Sequence, residues 1–293
     1  MSTRKAWIAL AAVCFFWGTT YIGIRMALEG LSPQYLVAVR FLLSGSLILL
    51  WAWGKGWAFP KGKELGWAFG TGLLTLGVGN YFLSLAETYI ESGLAALIIT
   101  IAPFWMVGAE ALIPGGAPVK PKAFLGMLVG FVGAIWLIGP EGIKTGFGGA
   151  TVKGFLVLQL SCLGWSVGSI LQKRRKSGAN PILVGGIQQL SAGLAATLVC
   201  VAFPGWRAEW SPGVLGAVLY LAFFGSIVAY SAYLLALEGL PVAIVSIYTY
   251  VNPIVAVCLG WLIYRERIGI REIGAMCVIF IGVFLVNHFS KKP

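Results

Sequence analysis

The sequence has few charged residues. Only 11% of its 293 residues are charged, whereas 59% are hydrophobic, and the mean hydropathy is +0.89. A soluble domain of this length needs more charge than that to solvate its surface. The shortage of charge excludes an ordinary soluble globular protein and predicts an integral membrane protein.

Residue types that carry enzyme chemistry are also scarce. The single histidine, His288, lies near the C-terminus, and all ten acidic residues are glutamates. The chain has no HExxH motif, no nucleophile paired with a base and no Walker-type glycine loop. We therefore expect no enzyme activity, no metal, no cofactor and no direct use of ATP, and keep an integral-membrane enzyme only as an alternative class.

The five cysteines show no CxxC spacing, and each lies within an apolar run. This placement predicts neither disulfides nor a metal site. We interpret all five as small apolar packing residues.

Long apolar runs fill the sequence instead. A helix needs about 20 apolar residues to cross the hydrocarbon core. Ten runs reach or approach this length. They are 6–28, 33–53, 65–87, 92–113, 123–139, 153–173, 181–203, 213–237, 242–264 and 270–289. The prediction is an all-α integral membrane protein with ten transmembrane helices.

The second half of the sequence repeats the first. Pro103 recurs as Pro253 at an offset of 150, and Trp17 recurs as Trp165 at an offset of 148. We therefore predict two five-helix repeats, at 1–141 and 151–293. Because five crossings are an odd number, the second repeat enters the bilayer upside down, and the repeats are inverted.

The formal charge of +11 is spread over the ends of the apolar runs and forms no single basic face. This pattern argues against nucleic-acid binding. It indicates instead which side of the membrane each connecting segment lies on. Most lysines and arginines between helices fall on the side of the N-terminus. We predict that both termini are cytoplasmic.

Polar and aromatic residues deep within the runs are candidates for a binding site. Trp17 and Trp165 lie far from the headgroup belts where tryptophan usually concentrates. Pro103 and Pro253 should break or kink their helices at matching places, which marks the site in transporters with inverted repeats. The candidate substrate-binding residues are Trp17, Tyr21, Asn80, Tyr81, Pro103, Trp165, Ser169, Tyr230, Tyr248, Asn252 and Pro253.

Arg40 is the deepest charge of the first half, about two turns after Pro33. Charged groups inside a membrane need a partner, and we predict Glu87 for this role. Arg40 either has a functional role or has only a structural one, in which its side chain reaches out to the membrane surface or holds neighbouring helices together. The repeat position holds Gln188.

The order and duplication of these motifs, together with YRERIGIREIGAMCVIFIGV after Pro253, resemble the EamA family of the drug/metabolite transporter superfamily. The resemblance covers essentially the whole chain. It implies an inner-membrane exporter of bacteria, with a cavity built from helices 1, 3, 4, 6, 8 and 9. Helices 2 and 7 would move, and helices 5 and 10 would be peripheral. In that family a glutamate follows the second proline by about 13 residues, and Glu266 matches it. We interpret Glu266 as structural, paired with Arg265, Arg267 or Arg271.

The expected function is secondary transport by alternating access, as a monomer, with amino acids or similar small metabolites as substrates. Aromatic or other neutral amino acids fit the polar and aromatic residues. Export of drugs or other metabolites is the alternative within the same fold. No acidic residue lies near a helix centre, so we expect uniport or exchange; only Glu87, Glu110 and Glu238 are close enough to the apolar region to support proton coupling.

Overall fold

The computed structural model describes residues 3–116, 118–145, 148–174, 178–240, 242–245, 247–266 and 269–290. These residues form helices joined by short connections, and within these ranges no strand is present. One isolated antiparallel bridge joins Leu31 to Ala208. It ties the loop after the first helix to the loop before the eighth, so the two repeats contact each other at this end of the molecule.

The chain forms ten helices, here called α1 to α10, some of which are interrupted. The first repeat contains α1 (Thr3–Leu28), α2 (Pro33–Gly54), α3 (Gly62–Ala86), α4 (Ser92–Leu112) and α5 (Pro121–Thr145). The second repeat contains α6 (Ala150–Arg174), α7 (Pro181–Ala202), α8 (Pro212–Leu237), α9 in two described segments (Val242–Val245 and Tyr248–Tyr264) and α10 (Ile270–Ser290).

The helices confirm an integral membrane fold. Among the described residues, nine are long and apolar enough to cross a membrane, and a shorter apolar helix covers Tyr248–Tyr264. Helices α2 and α7 both begin with proline, at Pro33 and Pro181. Proline suits a first helical turn because the N–H that it lacks has no helical partner there.

Helices α3 and α8 each contain a π-helical stretch at a corresponding place, Leu73–Val78 and Leu221–Val228. In a π-helix the hydrogen bonds span five residues, and such stretches are often found at functional sites. Each stretch shifts the register of the side chains that follow it. Asn80 and Tyr230, two of the candidate residues, each lie two positions after such a stretch.

Helices α4 and α9 are broken near their prolines, but not in the same way. In α4 the break falls at Thr100 and Ile101, and Pro103 lies in the first turn of the second segment, Ala102–Leu112. In α9 Pro253 lies inside the continuous segment Tyr248–Leu259, after an earlier separate segment. The predicted break is confirmed for α4, whereas in α9 the helix continues through Pro253 and does not break at the matching place.

Glycines allow two pairs of helices to pack backbone to backbone. A Cβ added at Gly45 of α2 would lie 2.6 Å from the backbone nitrogen of Leu190 in α7. A Cβ at Gly282 of α10 would lie 2.5 Å from the backbone nitrogen of Gly130 in α5. Close approach at small residues is the usual device for helix association in membranes. Helices α2 and α7 therefore form one tight pair, and α5 and α10 form the other.

All five cysteines are free thiols, as expected. Cys162 and Cys200 are buried and Cys14 is half-buried, so these three pack as small apolar residues. Cys258 and Cys277 are exposed on the helix surface. The prediction of a packing role is wrong for these two.

Candidate functional site

A cavity lies between the two repeats. Its volume is about 110 Å³, counted as the space that the centre of a water-sized sphere can occupy, which is room for several water molecules or a small solute. Its lining comes from α1, α2, α3, α4, α6, α8 and α9. The polar and aromatic side chains among the lining residues are Trp17, Thr20, Tyr21, Arg40, Phe41, Asn80, Ser161, Trp165, Ser226, Tyr230, Tyr248, Thr249 and Asn252.

One side of the cavity is formed by a cluster of aromatic rings. The ring of Trp17 lies 5.4 Å from Trp165 and 5.1 Å from Tyr248, both edge to face. Tyr233 packs 5.0 Å from Trp17, behind the cavity wall. We call Trp17, Trp165, Tyr233 and Tyr248 the aromatic cluster. Edge-to-face pairs of this kind stabilise one another beyond the burial of their surface, so the cluster is a rigid wall to which both repeats contribute.

A polar wall holds Arg40 of α2. Its Nε donates to Ser226 Oγ at 2.8 Å, and its Nη1 donates to Asn80 Oδ1 at 3.4 Å. The Arg40 side chain is 5% exposed. Arg40 therefore locks α2 to α3 and to the π-helical stretch of α8, and it lies at the cavity instead of snorkelling to the membrane surface.

The predicted partnership of Arg40 with Glu87 is not a direct ion pair: among the described residues no salt bridge joins the two, although their charges interact electrostatically. Glu87 is buried, but neither of its carboxylate oxygens has a hydrogen-bond partner among the described residues. The described carboxylates that form ion pairs do so with other arginines. A buried cation without a paired anion costs several kcal/mol. Arg40 is thus a charge inside the protein whose hydrogen bonds go to neutral groups, Ser226 and Asn80, while Glu87 acts on it electrostatically without a direct contact.

Neutral hydrogen bonds complete the surroundings of the cavity. Tyr230 Oη donates to Gln188 Oε1 at 2.7 Å, and Gln188 in turn donates to Thr71 Oγ1 at 3.0 Å. With its amide oriented to satisfy its hydrogen bonds, Asn252 donates to the carbonyls of Tyr248 and Cys14 at 3.1 and 3.0 Å. Gln188, the repeat counterpart of Arg40, is fully buried and lies away from the cavity. The two repeats therefore differ in charge at this position.

Seven of the eleven candidate residues line this cavity: Trp17, Tyr21, Asn80, Trp165, Tyr230, Tyr248 and Asn252. Four lie outside its lining. Tyr81 packs half-buried against the neighbouring apolar core, and Ser169 forms a hydrogen bond with Tyr233. Pro103 and Pro253 shape their helices without reaching the cavity wall. Binding of substrate by any of the eleven remains a prediction.

Several lining residues escaped the sequence analysis. Ser226, Thr20 and Ser161 are small hydroxyl residues of a kind that also occurs throughout the apolar runs. Tyr233 was not selected either. For Arg40 a signal was present, because a charge deep in an apolar run marks function by default.

A second polar network lies at the ends of α1, α4 and α9. The carboxylate of Glu266 accepts hydrogen bonds from Arg25 Nη1 at 2.7 Å, from Ser92 Oγ at 2.6 Å and from the Gly93 N–H at 3.0 Å. The prediction that Glu266 pairs with a nearby arginine is wrong for Arg265 and Arg271, and Arg267 lies outside the described residues. Glu266 instead caps the N-terminus of α4, a structural role.

Two further glutamates were considered for proton coupling. Glu110 pairs with Arg174 at 3.0 Å near the surface. The side chain of Glu238 lies outside the described part of the chain. Of the two whose side chains the structure describes, Glu87 is the buried one, and its oxygens form no hydrogen bond to a described residue.

The duplicated helices and the cavity between them agree with comparisons to known proteins. Residues 4–139 and, separately, residues 152–288 match the EamA-like transporter family. The chain belongs to the EamA-like transporter family. An EamA-like chain is a membrane transporter, and this chain contains two copies of the family unit. The exact domain limits 1–141 and 151–293 stay a prediction.

Relatives of this EamA-like chain share its full length. It is 31% identical to the "Uncharacterized inner membrane transporter YedA" of Escherichia coli strain K12, over 97% of this chain and 92% of that protein. It is 26% identical to the "Uncharacterized transporter YdfC" of Bacillus subtilis strain 168, over 99% and 97% of the two chains. A solved crystal structure with 19% identity matches at a TM-score of 0.68 over 99% of both chains, and this likeness shows the fold alone.

Proposed function

We propose that this EamA-like transporter is a bacterial inner-membrane exporter of neutral amino acids or similar small metabolites, acting by alternating access. The observation that carries the proposal is the cavity between the repeats, in which Trp17 of one repeat and Trp165 of the other meet at 5.4 Å. Two inverted repeats around one site can exchange conformations and open that site to either side of the membrane.

The chemistry of the cavity supports a small solute with polar and apolar parts. Aromatic rings bind apolar groups and, through their faces, ammonium groups. Asn80 and Ser226 bring polar groups to the same cavity. We also propose that the protein functions as a monomer. The described residues contain no cluster of metal-binding side chains, and transport without a cofactor or chemical reaction is part of the proposal.

The inner-membrane location rests on the name printed for the relative from Escherichia coli and on the apolar helices of this chain. We propose that both termini are cytoplasmic, because basic residues concentrate in segments on that side.

Counterflow in proteoliposomes tests the proposal. Purified protein is reconstituted, and the vesicles are preloaded in turn with amino acids, nucleosides or cationic drugs. Uptake of the same labelled compound should rise above that of empty vesicles for at least one neutral amino acid and should saturate. Counterflow with nucleosides or drugs but with no amino acid contradicts the proposed substrate class, and non-saturable flux contradicts alternating access.

A further inference from the structure

Arg40 supplies the one charge in the lining of the described cavity. It is the eighth residue of α2, which places its Cα about 10 Å from the start of that helix at 1.5 Å per residue. Its side chain is 5% exposed. A cation at this depth is held away from bulk water, so it strongly favours an anion beside it.

The guanidinium retains free donors on the side of the cavity. An arginine has five N–H donors, and only its Nε and Nη1 donate to described residues, namely Ser226 and Asn80. Nη2 lies next to Gly225, where an added Cβ would come within 3.1 Å of it. Arg40 lines the cavity, and a planar guanidinium with N–H donors to spare suits the geometry of a carboxylate.

The aromatic cluster begins immediately beside this charge. Trp17 Nε1 donates to the carbonyl of Gly225 at 3.2 Å, and Gly225 also lies beside Arg40. A ligand with its anionic end on Arg40 would therefore place the rest of its structure against Trp17 and its ring neighbours. This arrangement matches a small molecule that combines a carboxylate with an apolar or ammonium-bearing portion.

We propose that Arg40 binds the carboxylate of the transported substrate and thereby restricts transport to carboxylate-bearing solutes, with neutral amino acids as the class that also fits the rings. This inference rests on the proposed export function. It adds the requirement that the substrate carries a carboxylate, because an amide or amine of the same size offers Arg40 no anionic group.

Binding of matched compounds to the wild-type protein tests the requirement directly. The probes are phenylalanine, phenylalaninamide and phenethylamine, with leucine and leucinamide as a second pair. Each is titrated into the purified protein in detergent, and its affinity is obtained from the shift in the thermal unfolding temperature. A charge-assisted hydrogen bond changes affinity by about tenfold to about a hundredfold. Each acid should therefore bind at least about tenfold more tightly than its amide or amine. Equal affinity of acid and amide overturns the proposal.

Two variants test the role of Arg40 itself. Arg40→Gln should remove the preference for the acid. Because a buried arginine also supports the fold, Asn80→Asp provides an independent test. The new carboxylate would stand where Asn80 Oδ1 lies 3.4 Å from Nη1 of Arg40, so it should pair with Arg40, raise thermal stability and weaken binding of the acids at least about tenfold.

A matched control is Arg207→Gln, which removes an exposed arginine in the loop before α8 and should leave the preference unchanged. An Asn80→Asp variant that folds and still binds the acids as tightly as wild type overturns the proposal. Counterflow separates this result from the export function. Tighter binding of acids without any counterflow supports the Arg40 site and contradicts export, whereas equally fast exchange of acid, amide and amine supports export and contradicts the Arg40 site.

Discussion

Replacement of Glu266 by glutamine should destabilise the protein more than a like change at the surface. The Glu266 side chain is 3% exposed, and its Oε1 accepts from Arg25 Nη1 at 2.7 Å and from Ser92 Oγ at 2.6 Å. Its Oε2 accepts from the Gly93 N–H at 3.0 Å. Each of these hydrogen-bond partners is a donor. The carboxylate of Glu266 therefore accepts from groups in the first turn of α4 and also neutralises the cation of Arg25 on α1.

The magnitude follows from these contacts. Glutamine can keep its oxygen at the position of Oε1 but then presents an NH₂ group to the Gly93 N–H. At least one hydrogen bond is therefore lost, and the others lose their charged acceptor. A hydrogen bond to a charged group contributes about 1.5–3 kcal/mol. The ion pair itself adds little, because Arg25 is 31% exposed and is partly solvated. We expect the free energy of unfolding to fall by about 2–4 kcal/mol.

The measurement is unfolding of purified protein in mixed micelles with increasing SDS, followed by circular dichroism. Glu272→Gln is the matched control, because Glu272 also pairs with an arginine, Arg271, at 2.7 Å. In this pair the side chains are more exposed, 20% for Glu272 and 41% for Arg271. That change should lower the free energy of unfolding by less than about 1 kcal/mol. Equal transition midpoints for the two variants would refute the argument from burial and capping.

Three further changes test packing, coupling and topology. Gly282→Ala places a Cβ 2.5 Å from the backbone nitrogen of Gly130 and should lower the free energy of unfolding by about 1–3 kcal/mol in the same titration. Gly70→Ala is the control, because a Cβ there meets nothing within 4 Å, and it should leave the free energy of unfolding unchanged. Similar losses for both variants contradict the packing argument. Glu87→Gln should leave the rate of counterflow without a pH gradient within about twofold of wild type, because the carboxylate oxygens of Glu87 form no hydrogen bond to a described residue. Loss of that counterflow would show that Glu87 is essential to the transport cycle. A Glu209→Cys variant, otherwise free of cysteine, should react with an impermeant thiol reagent on intact cells; reaction only after permeabilisation contradicts cytoplasmic termini.

The order of residues alone determined the architecture. Run length specifies how many helices cross a bilayer, and duplication specifies how they are related, so both are visible without coordinates. Duplication also indicated part of the site. Trp17 and Trp165 occupy matching positions, and in the structure their rings meet at the interface of the repeats. Matching residues of an inverted repeat are related by the shared axis, and a pair that lies near this axis can meet.

Partners of the buried charges were decided only by the tertiary structure. Glu266 pairs with Arg25, 241 positions away, and Arg40 contacts Ser226 and Asn80 instead of Glu87. Such contacts depend on the rotation of each helix about its axis. In a soluble protein an apolar stripe reveals that rotation, but lipid is as apolar as a protein core, so both faces of a membrane helix read alike. The π-helical stretches of α3 and α8 then turned the following side chains further, by a shift in hydrogen bonding that apolar residues do not encode.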